Sequence, residues 1–444
     1  DTGVEHHPQN IPDEIGYDRI RDAFRSKSEI AYQGAVQRLD NKRTHLKQNP
    51  KPADNAAVPE FKRMPPAVWI GPSALTNPCP VTDMEQLSNR LSKVFTDYPE
   101  LFNHCVKVYQ KRVDYYRLTS EGQKILQPDT AFHITARASI KTDGNEVKTE
   151  YYRLHVGGIN DLPSEDALIG ELHQFAQYMR QKSRAKAVED LYIGPVLYED
   201  DAAMELLARK IADHSHSYWI SIRNQSDRKH RYLGKQVFPP ALSVCQLGSD
   251  SVYNGVKLLG YRQVDADGTK PMTLPIIEKG ILKHMLTGRT PSLGCPASTG
   301  NEHFDGLSRS LETRYIAGVF HVTSNRPVPY SKLYKRFLKA AKKAGLEHTY
   351  IIRKNRTSPY ALIRVDLSTG KEELVEGNYN APSREQFKRM HAISKEENVY
   401  NLDPAGGKGL GIISPKAILL EDMELDITPS RARHIDEAFY ELRH

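Results

Sequence analysis

Three sets of side chains in this chain have types and spacings that could do chemistry. Asp213, His214 and His216 put a carboxylate and two imidazoles in one short run. Such a run can ligate a metal ion, and a neutral imidazole can also take a proton near neutral pH. His214 and His216 are two residues apart, so they share a face on a strand and diverge on a helix, which favours a structural or surface role. Cys245 and Cys295 are the second set. Neither has a paired base in view, and a lone thiol is more often a small core residue or an inert loop group than a nucleophile. The third is Gly406-Gly-Lys-Gly-Leu-Gly411. A phosphate cradle needs a strand before it and a helix after it, and this run has neither, so it reads as a flexible loop. No Gly-x-Ser-x-Gly elbow is present.

The element that must position the first set is the stretch 192–213. Ile193 to Tyr198 reads as a short apolar strand, Glu199-Asp200-Asp201 as an acidic turn, and the rest as a helix. Asp200 and Asp201 suit the positive end of that helix, and Ala203, Leu206, Leu207 and Ile211 give it one apolar face. On the residues alone this is a buried strand–turn–helix corner between two domains.

A chain of 444 residues is long enough for two domains with large cores. Its 39% apolar and 26% charged residues are ordinary for a globular protein, and no apolar run is long enough to cross a bilayer as a helix. The four cysteines are far apart with no Cys-x-x-Cys, which argues against a zinc ribbon or a disulfide framework and leaves the redox compartment open. The formal charge of +7 is modest, and its densest run is 332–343. Ser331 can cap that run as a helix, Leu333, Phe337 and Ala341 supply a buried stripe, and Gly345 can end it. A solvated helix face explains its lysines better than a nucleic-acid site, for which no motif is present. The chain opens at Asp1 with no initiator Met and no signal-peptide pattern, so a processed or truncated product is expected.

Taken in order, a long helix is predicted over 17–46, a Pro-broken crossing over 49–66, and a short strand at 68–70. Thr82-Asp-Met-Glu85 reads as a capping box that opens a helix. Strands at 105–118, 131–140 and 147–156 follow, the last two joined by an Asp143-Gly144 turn, and Ser164 opens a helix with Leu168, Leu172, Phe175 and Met179 on one face. Beyond 213, short strands dominate: 236–247, 256–264, 272–277, 281–287, 315–322, 350–353, 360–367 and 417–425. Turns stand at Asp267-Gly268 and Lys279-Gly280, and helices at 331–344 and 383–393. The prediction is an α+β protein. Residues 1–190 form an N-terminal α/β-type domain with a strand meander and helices. Residues 191–444 form a mostly antiparallel, barrel- or sandwich-like domain opened by the junction strand and helix.

Gly194-Pro-Val-Leu-Tyr-Glu-Asp-Asp-Ala-Ala-Met-Glu-Leu-Leu207 resembles the domain-junction signature of the TldD/PmbA family of peptidases and peptidase-like proteins. Other stretches in the right order add to the likeness: Leu118-Thr-Ser-Glu-Gly-Gln, Asp161-Leu-Pro-Ser-Glu, Leu259 to Gly268, Ile277-Glu-Lys-Gly-Ile-Leu-Lys, Ser298-Thr-Gly-Asn301 and Ser414 to Leu425. In zinc-bearing members the helix runs into His-Glu-x-x-x-His. Those positions fall here on Ala208, Arg209 and Asp213, of which only Asp213 could bind a metal. The resemblance also implies a third ligand, a cysteine shortly before the closing strand, and 400–411 contains none.

The resemblance therefore implies a zinc-less homologue with no cofactor, non-catalytic or regulatory, that holds unfolded peptide in a chamber between subunits. Its partner would be itself or a zinc-bearing relative. Arg289, Ser298, Thr299, Gly300 and Asn301 are the candidate peptide contacts, against the reading that they only shape a turn. Two alternatives stay open: an active peptidase with a rearranged metal or thiol site, and a basic modulator associated with nucleic acid. The N-terminal part is similar to a branch that carries extra strands and often an export signal, which points to an exported or periplasmic protein.

Overall fold

The computed structural model describes residues 16–49, 63–76, 78–142, 146–215, 229–289, 297–301, 318–358, 360–402 and 409–427. Among the described residues, three larger sheets, a two-stranded ribbon of Val252–Tyr253 and Val256–Lys257, and the helices between them build the fold. The N-terminal sheet pairs Leu101–Leu118 with Lys124–Lys141, and that strand with Val147–Val156, all antiparallel. Val68–Ile70 joins in parallel, and Thr357–Ser358, from far along the chain, adds at the other side. Alternation decides which face is buried. Val106, Phe132, Ile134, Ala136 and Leu154 form one core with the helices Val81–Ser92 and Glu165–Ser183. Ser164 caps the second helix as expected, through Ala167 N at 3.3 Å. The first starts just ahead of its predicted box: Pro80 is its N-cap, and no side-chain cap bond forms. Proline already lacks the N–H and fixes φ, so the entry is set by Pro80 rather than by Thr82.

A seven-stranded mixed sheet has the order Met390–Ile393, Ala417–Ile427, Asp190–Asp200, His348–Lys354, Ala361–Asp366, Glu372–Glu376, Lys186–Ala187. A six-stranded mixed sheet has the order Ile281–Leu282, Leu274–Glu278, Leu242–Gln246, Gly318–Ser324, Leu410–Pro415, Glu397–Leu402. The helix Asp201–Ser215 lies in the core these two sheets share: Ala203, Leu207 and Ile211 join Val196 and Ile352 of one sheet and Val244, Phe320 and Ile412 of the other. The helix Tyr330–Lys343 covers the far face of the seven-stranded sheet with the predicted stripe of Leu333, Phe337 and Ala341.

This corrects the expected barrel or sandwich. Among the described residues the C-terminal sheets are open and mixed, with parallel pairs at Tyr350↔Val196, Gly318↔Leu410 and Val375↔Lys186, and no barrel closes. Parallel neighbours need long crossovers, and the helices supply them. The helix expected over 383–393 stops at Lys388; its Ser383–Gln386 capping box forms, but Met390–Ile393 turns into an edge strand on the closing strand Ala417–Ile427. Residues 256–264 give only a two-residue strand, Val256–Lys257. The Lys279-Gly280 turn forms as read, with both residues at positive φ. The Asp143-Gly144 turn lies outside the described residues, though the strands it joins pair as expected.

Candidate functional site

The junction strand Asp190–Asp200 is flanked by the closing strand on one side and His348–Lys354 on the other. Strands buried on both faces read as continuous apolar runs, and Val196 and Leu197 are fully buried here. Asp200 takes φ +53, a left-handed conformation that aspartate tolerates, and so turns the chain straight into the helix. Asp201 does not act as the helix cap the sequence implied: its Oδ2 accepts Arg356 N–H of a neighbouring loop at 2.8 Å. Ala202, Ala203, Met204, Leu206, Leu207, Ala208 and Ile211 are all buried, as befits a helix held between two sheets.

One turn along, Glu205 collects three donors. Its Oε1 accepts Lys354 Nζ at 2.5 Å and Tyr400 OH at 2.8 Å, and its Oε2 accepts Tyr360 OH at 2.6 Å. With both oxygens taken up by groups of the fold, this carboxylate is not free to reach a ligand as a general base. Burial pushes the Asp201 carboxyl up to about 6, with the charge of Glu205 adding to the rise. Tyr198 is 4% exposed, its hydroxyl has no hydrogen-bond partner among the described residues, and burial raises its pKa against the pull of the Arg209 charge.

The same helix carries the first two positions that the resemblance aligns with the zinc motif. Ala208 is 1% exposed, and its methyl sits in the apolar core with no donor atom to offer. Arg209 is exposed and carries a cation where a carboxylate base would be needed. Among the described residues no group of three or more His, Cys, Asp or Glu could hold a metal ion. The side chains of Asp213 and His214, all of His216 and Cys295, and residues 406–408 of the glycine-rich run lie outside the described residues.

Cys245 lies directly opposite His321 across an antiparallel pair, and His321 Nε2 bonds Glu397 Oε1 at 3.0 Å. The order thiol, imidazole, carboxylate is that of an activated nucleophile. The thiol is not activated, however. Burial and then Asp250 push its pKa up, and its Sγ–H points to Gln246 O at 3.3 Å.

Arg289 is 5% exposed, and its Nη2 donates to Glu121 Oε2 at 2.7 Å in the turn after Leu118. Its backbone N–H goes to Asp267 Oδ2 at 3.3 Å, and Asp267 also takes Arg117 Nη2 at 2.9 Å. Burial raises the Asp267 pKa, and the two arginines oppose that rise. Arg289 thus ties the first strand hairpin to the C-terminal half. The loop Ser298 to Asn301 folds back on Thr287, whose carbonyl accepts both Thr299 N and Asn301 N. Asn301 Nδ2 reaches Gln246 Oε1 at 3.0 Å. Gly300 sits at φ +76, and a Cβ there would meet Lys270 O at 2.4 Å, so only glycine fits. Gly260, in the 259–268 stretch, answers a second close approach: a Cβ would fall 1.8 Å from Gly318 O.

The structure therefore brings Ala208 and Arg209 to one helix with Glu205, and places Arg289 and the 298–301 loop at another point around Thr287 and Asp267. Glu205, Lys354, Tyr360 and Tyr400 were not singled out from sequence. Glu205 alone carried a signal, its position one turn before Ala208 and Arg209; its three donors come from distant strands and loops.

Residues 193–321, a little under a third of the chain, match the model of the PmbA/TldA metallopeptidase C-terminal domain. No curated protein matches the chain. Among solved structures it is similar to a putative modulator of a DNA gyrase from Thermotoga maritima, at 13% identity and a TM-score of 0.54, covering 84% of this chain and 81% of that one. It is similar in the same degree to a putative modulator of DNA gyrase from Bacteroides thetaiotaomicron, at 13% identity and a TM-score of 0.54, over 83% of this chain and 76% of that one. At such identities the likeness establishes a shared fold.

Proposed function

We propose that the chain is a peptidase-like protein of the TldD/PmbA type whose junction helix has no zinc chemistry. It acts as a non-catalytic or regulatory subunit that holds unfolded peptide, paired with itself or with a zinc-bearing relative. The observation that carries this reading is the state of one helix. The matched segment keeps the strand, the turn and the buried helix, while the first ligand position is a core methyl at Ala208 and the base position is the Arg209 guanidinium. The nearest carboxylate on that helix, Glu205, is occupied by Lys354, Tyr360 and Tyr400.

Ser298, Thr299 and Asn301 are half-buried and keep some surface for a peptide, with Gly300 setting the backbone between them. Arg289, the other candidate contact, is held to Glu121 of the N-terminal hairpin. Main-chain pairing to an exposed strand gives affinity without much sequence preference, which suits an unfolded ligand.

Elemental analysis and a peptidase assay on the purified chain test the reading. Zinc should be well below one per chain, and a labelled unfolded peptide should bind and remain intact. Replacing Ala208→His, Arg209→Glu and Asp213→His together should give at most weak zinc binding, because no cysteine stands in 400–411. Stoichiometric zinc with chelator-sensitive cleavage by the unmodified chain would reject the proposal. Light scattering addresses the pairing: a monomer alone and with every zinc-bearing relative tried would reject that half.

A further inference from the structure

The N-terminal sheet has a second face, turned away from its helices, with a composition the peptidase-like reading does not use. Residues directly opposite on neighbouring strands share a face. The register therefore sets three rows there: Cys105, Arg137 and Tyr151; Lys107, Thr135 and Arg153; Tyr109, His133 and His155. Rows two residues apart along a strand are about 7 Å apart. These nine positions hold three fixed cations, two phenols and two imidazoles, and no carboxylate. Lys111 and Lys141 lie further along the same face, and each already has a partner. The nearest carboxylate down the face, Asp129, is already engaged by Arg262 at 3.5 Å.

Nothing among the described residues neutralises the three cations. Lys107, Arg137 and Arg153 meet no carboxylate there, and the Nε of Arg137 is buried with no hydrogen-bond partner. A half-buried guanidinium at the centre of a sheet face is costly to leave unpaired. The rings are arranged as platforms. Tyr109, 46% exposed, lies parallel on His133 with centroids 4.6 Å apart, and His133 is fixed by an Nδ1–Nδ1 hydrogen bond of 2.8 Å to His155. The Arg153 guanidinium lies 4.7 Å from the centre of the Tyr151 ring.

We infer that this face binds single-stranded nucleic acid. Fixed cations would track the phosphates and Tyr109 and Tyr151 would offer ring faces to bases, the combination that single-strand binders use. A duplex stacks its bases on one another and could use only the cations, and a flat sheet face offers no element to enter a groove. An acidic peptide or an anionic membrane would likewise leave the rings without a role. The inference is independent of the peptide-holding proposal, since it concerns another domain face and another ligand. It also moves the nucleic-acid reading off the basic helix Tyr330–Lys343, whose lysines lie on a solvated face.

Anisotropy of a fluorescent oligothymidylate about 12 nucleotides long, titrated with the full chain at several salt concentrations, tests it. The single strand should bind about ten-fold or more tighter than a duplex of the same length. The triple variant Lys107→Ala, Arg137→Ala, Arg153→Ala should lose about 30-fold in affinity and flatten the log–log salt slope by about 2, at roughly 0.7 for each phosphate that is no longer neutralised. Tyr109→Ala should lose about ten-fold with the salt slope unchanged, as expected when a base stacks on the ring. The variant Lys335→Ala, Lys339→Ala, Lys342→Ala on the basic helix removes the same charge and should stay within about two-fold. Circular dichroism melts of each variant separate lost binding from lost folding. An equal loss in the helix variant, no binding by the unmodified chain, or tighter binding of duplex, polyglutamate or anionic vesicles would overturn the inference.

Discussion

Around the junction helix, Glu205 has a donor at each oxygen, and the Lys354 ammonium that it holds is only 17% exposed. On the outer face of the N-terminal sheet, Lys107, Arg137 and Arg153 stand in adjoining rows with no carboxylate among them. Both regions are rich in tyrosine, so composition alone does not separate them. The difference is where the charge is balanced. In the helix region it is balanced inside the fold, so removing one partner is costly and little is left free for a ligand. On the sheet face no described carboxylate balances Lys107, Arg137 or Arg153, and the proposed nucleic acid would supply the anions.

The largest test of this contrast is Leu207→Asp. Leu207 is fully buried between the sheets, and an unpaired carboxylate there should cost about 4 kcal/mol or more, measured by chemical denaturation. A change within error would mean the helix is not in the core. Next comes Glu205→Ala, which strands Lys354 and leaves Tyr360 and Tyr400 without their acceptor; about 3 kcal/mol should be lost. A neutral outcome would show that the three donors find water instead, and the helix region would then resemble the sheet face.

A smaller effect concerns pH. The Asp201 carboxyl is raised from 3.8 to about 6, and that of Glu150 from 4.5 to about 6, chiefly by burial in both cases. Lys182, 2.5 Å from Glu150, opposes the second rise. Between the unfolded and folded values the native state binds more protons than the unfolded chain. This contribution to stability is therefore fully present below about pH 4 and is lost as pH rises through about 6. Melting curves from about pH 4 to 7 should show that loss, and Asp201→Asn should flatten it by an amount on the order of 2 kcal/mol. An unchanged profile in that variant would place the proton elsewhere. The smallest effect is the sharpest contrast. Lys107→Ala with Arg153→Ala should change stability by no more than about 0.5 kcal/mol, because neither cation has a carboxylate partner among the described residues. A loss of several kcal/mol would mean that the sheet face is balanced internally after all.

Much of this was legible along the chain. The helix at 201–215 follows from its apolar spacing, the Lys279-Gly280 turn from its glycine, and the caps at Ser164 and Ser383 from their hydroxyls. These are local effects, decided within a few residues. The pattern at 383–393 misled because Met390–Ile393 is short and apolar, and such a segment takes its form from the strand it meets. The barrel expectation failed for a related reason. Alternation marks a residue as half-buried in a strand, but it does not say which strand lies beside it or in which direction.

The sequence by itself determined that Ala208 and Arg209 cannot provide a ligand and a base, because side-chain chemistry does not depend on fold. It also determined the buried stripe of the basic helix and the glycine at 300. Tertiary structure alone decided that Glu205 is engaged by Lys354, Tyr360 and Tyr400, that Arg289 answers Glu121, and that Cys245 faces an imidazole without being activated by it. It also decided that Lys107, Arg137 and Arg153, spread over three strands, share one face with no acid among them. The partners in each case are far apart in the chain, and strand register, which no single segment specifies, brings many of them together.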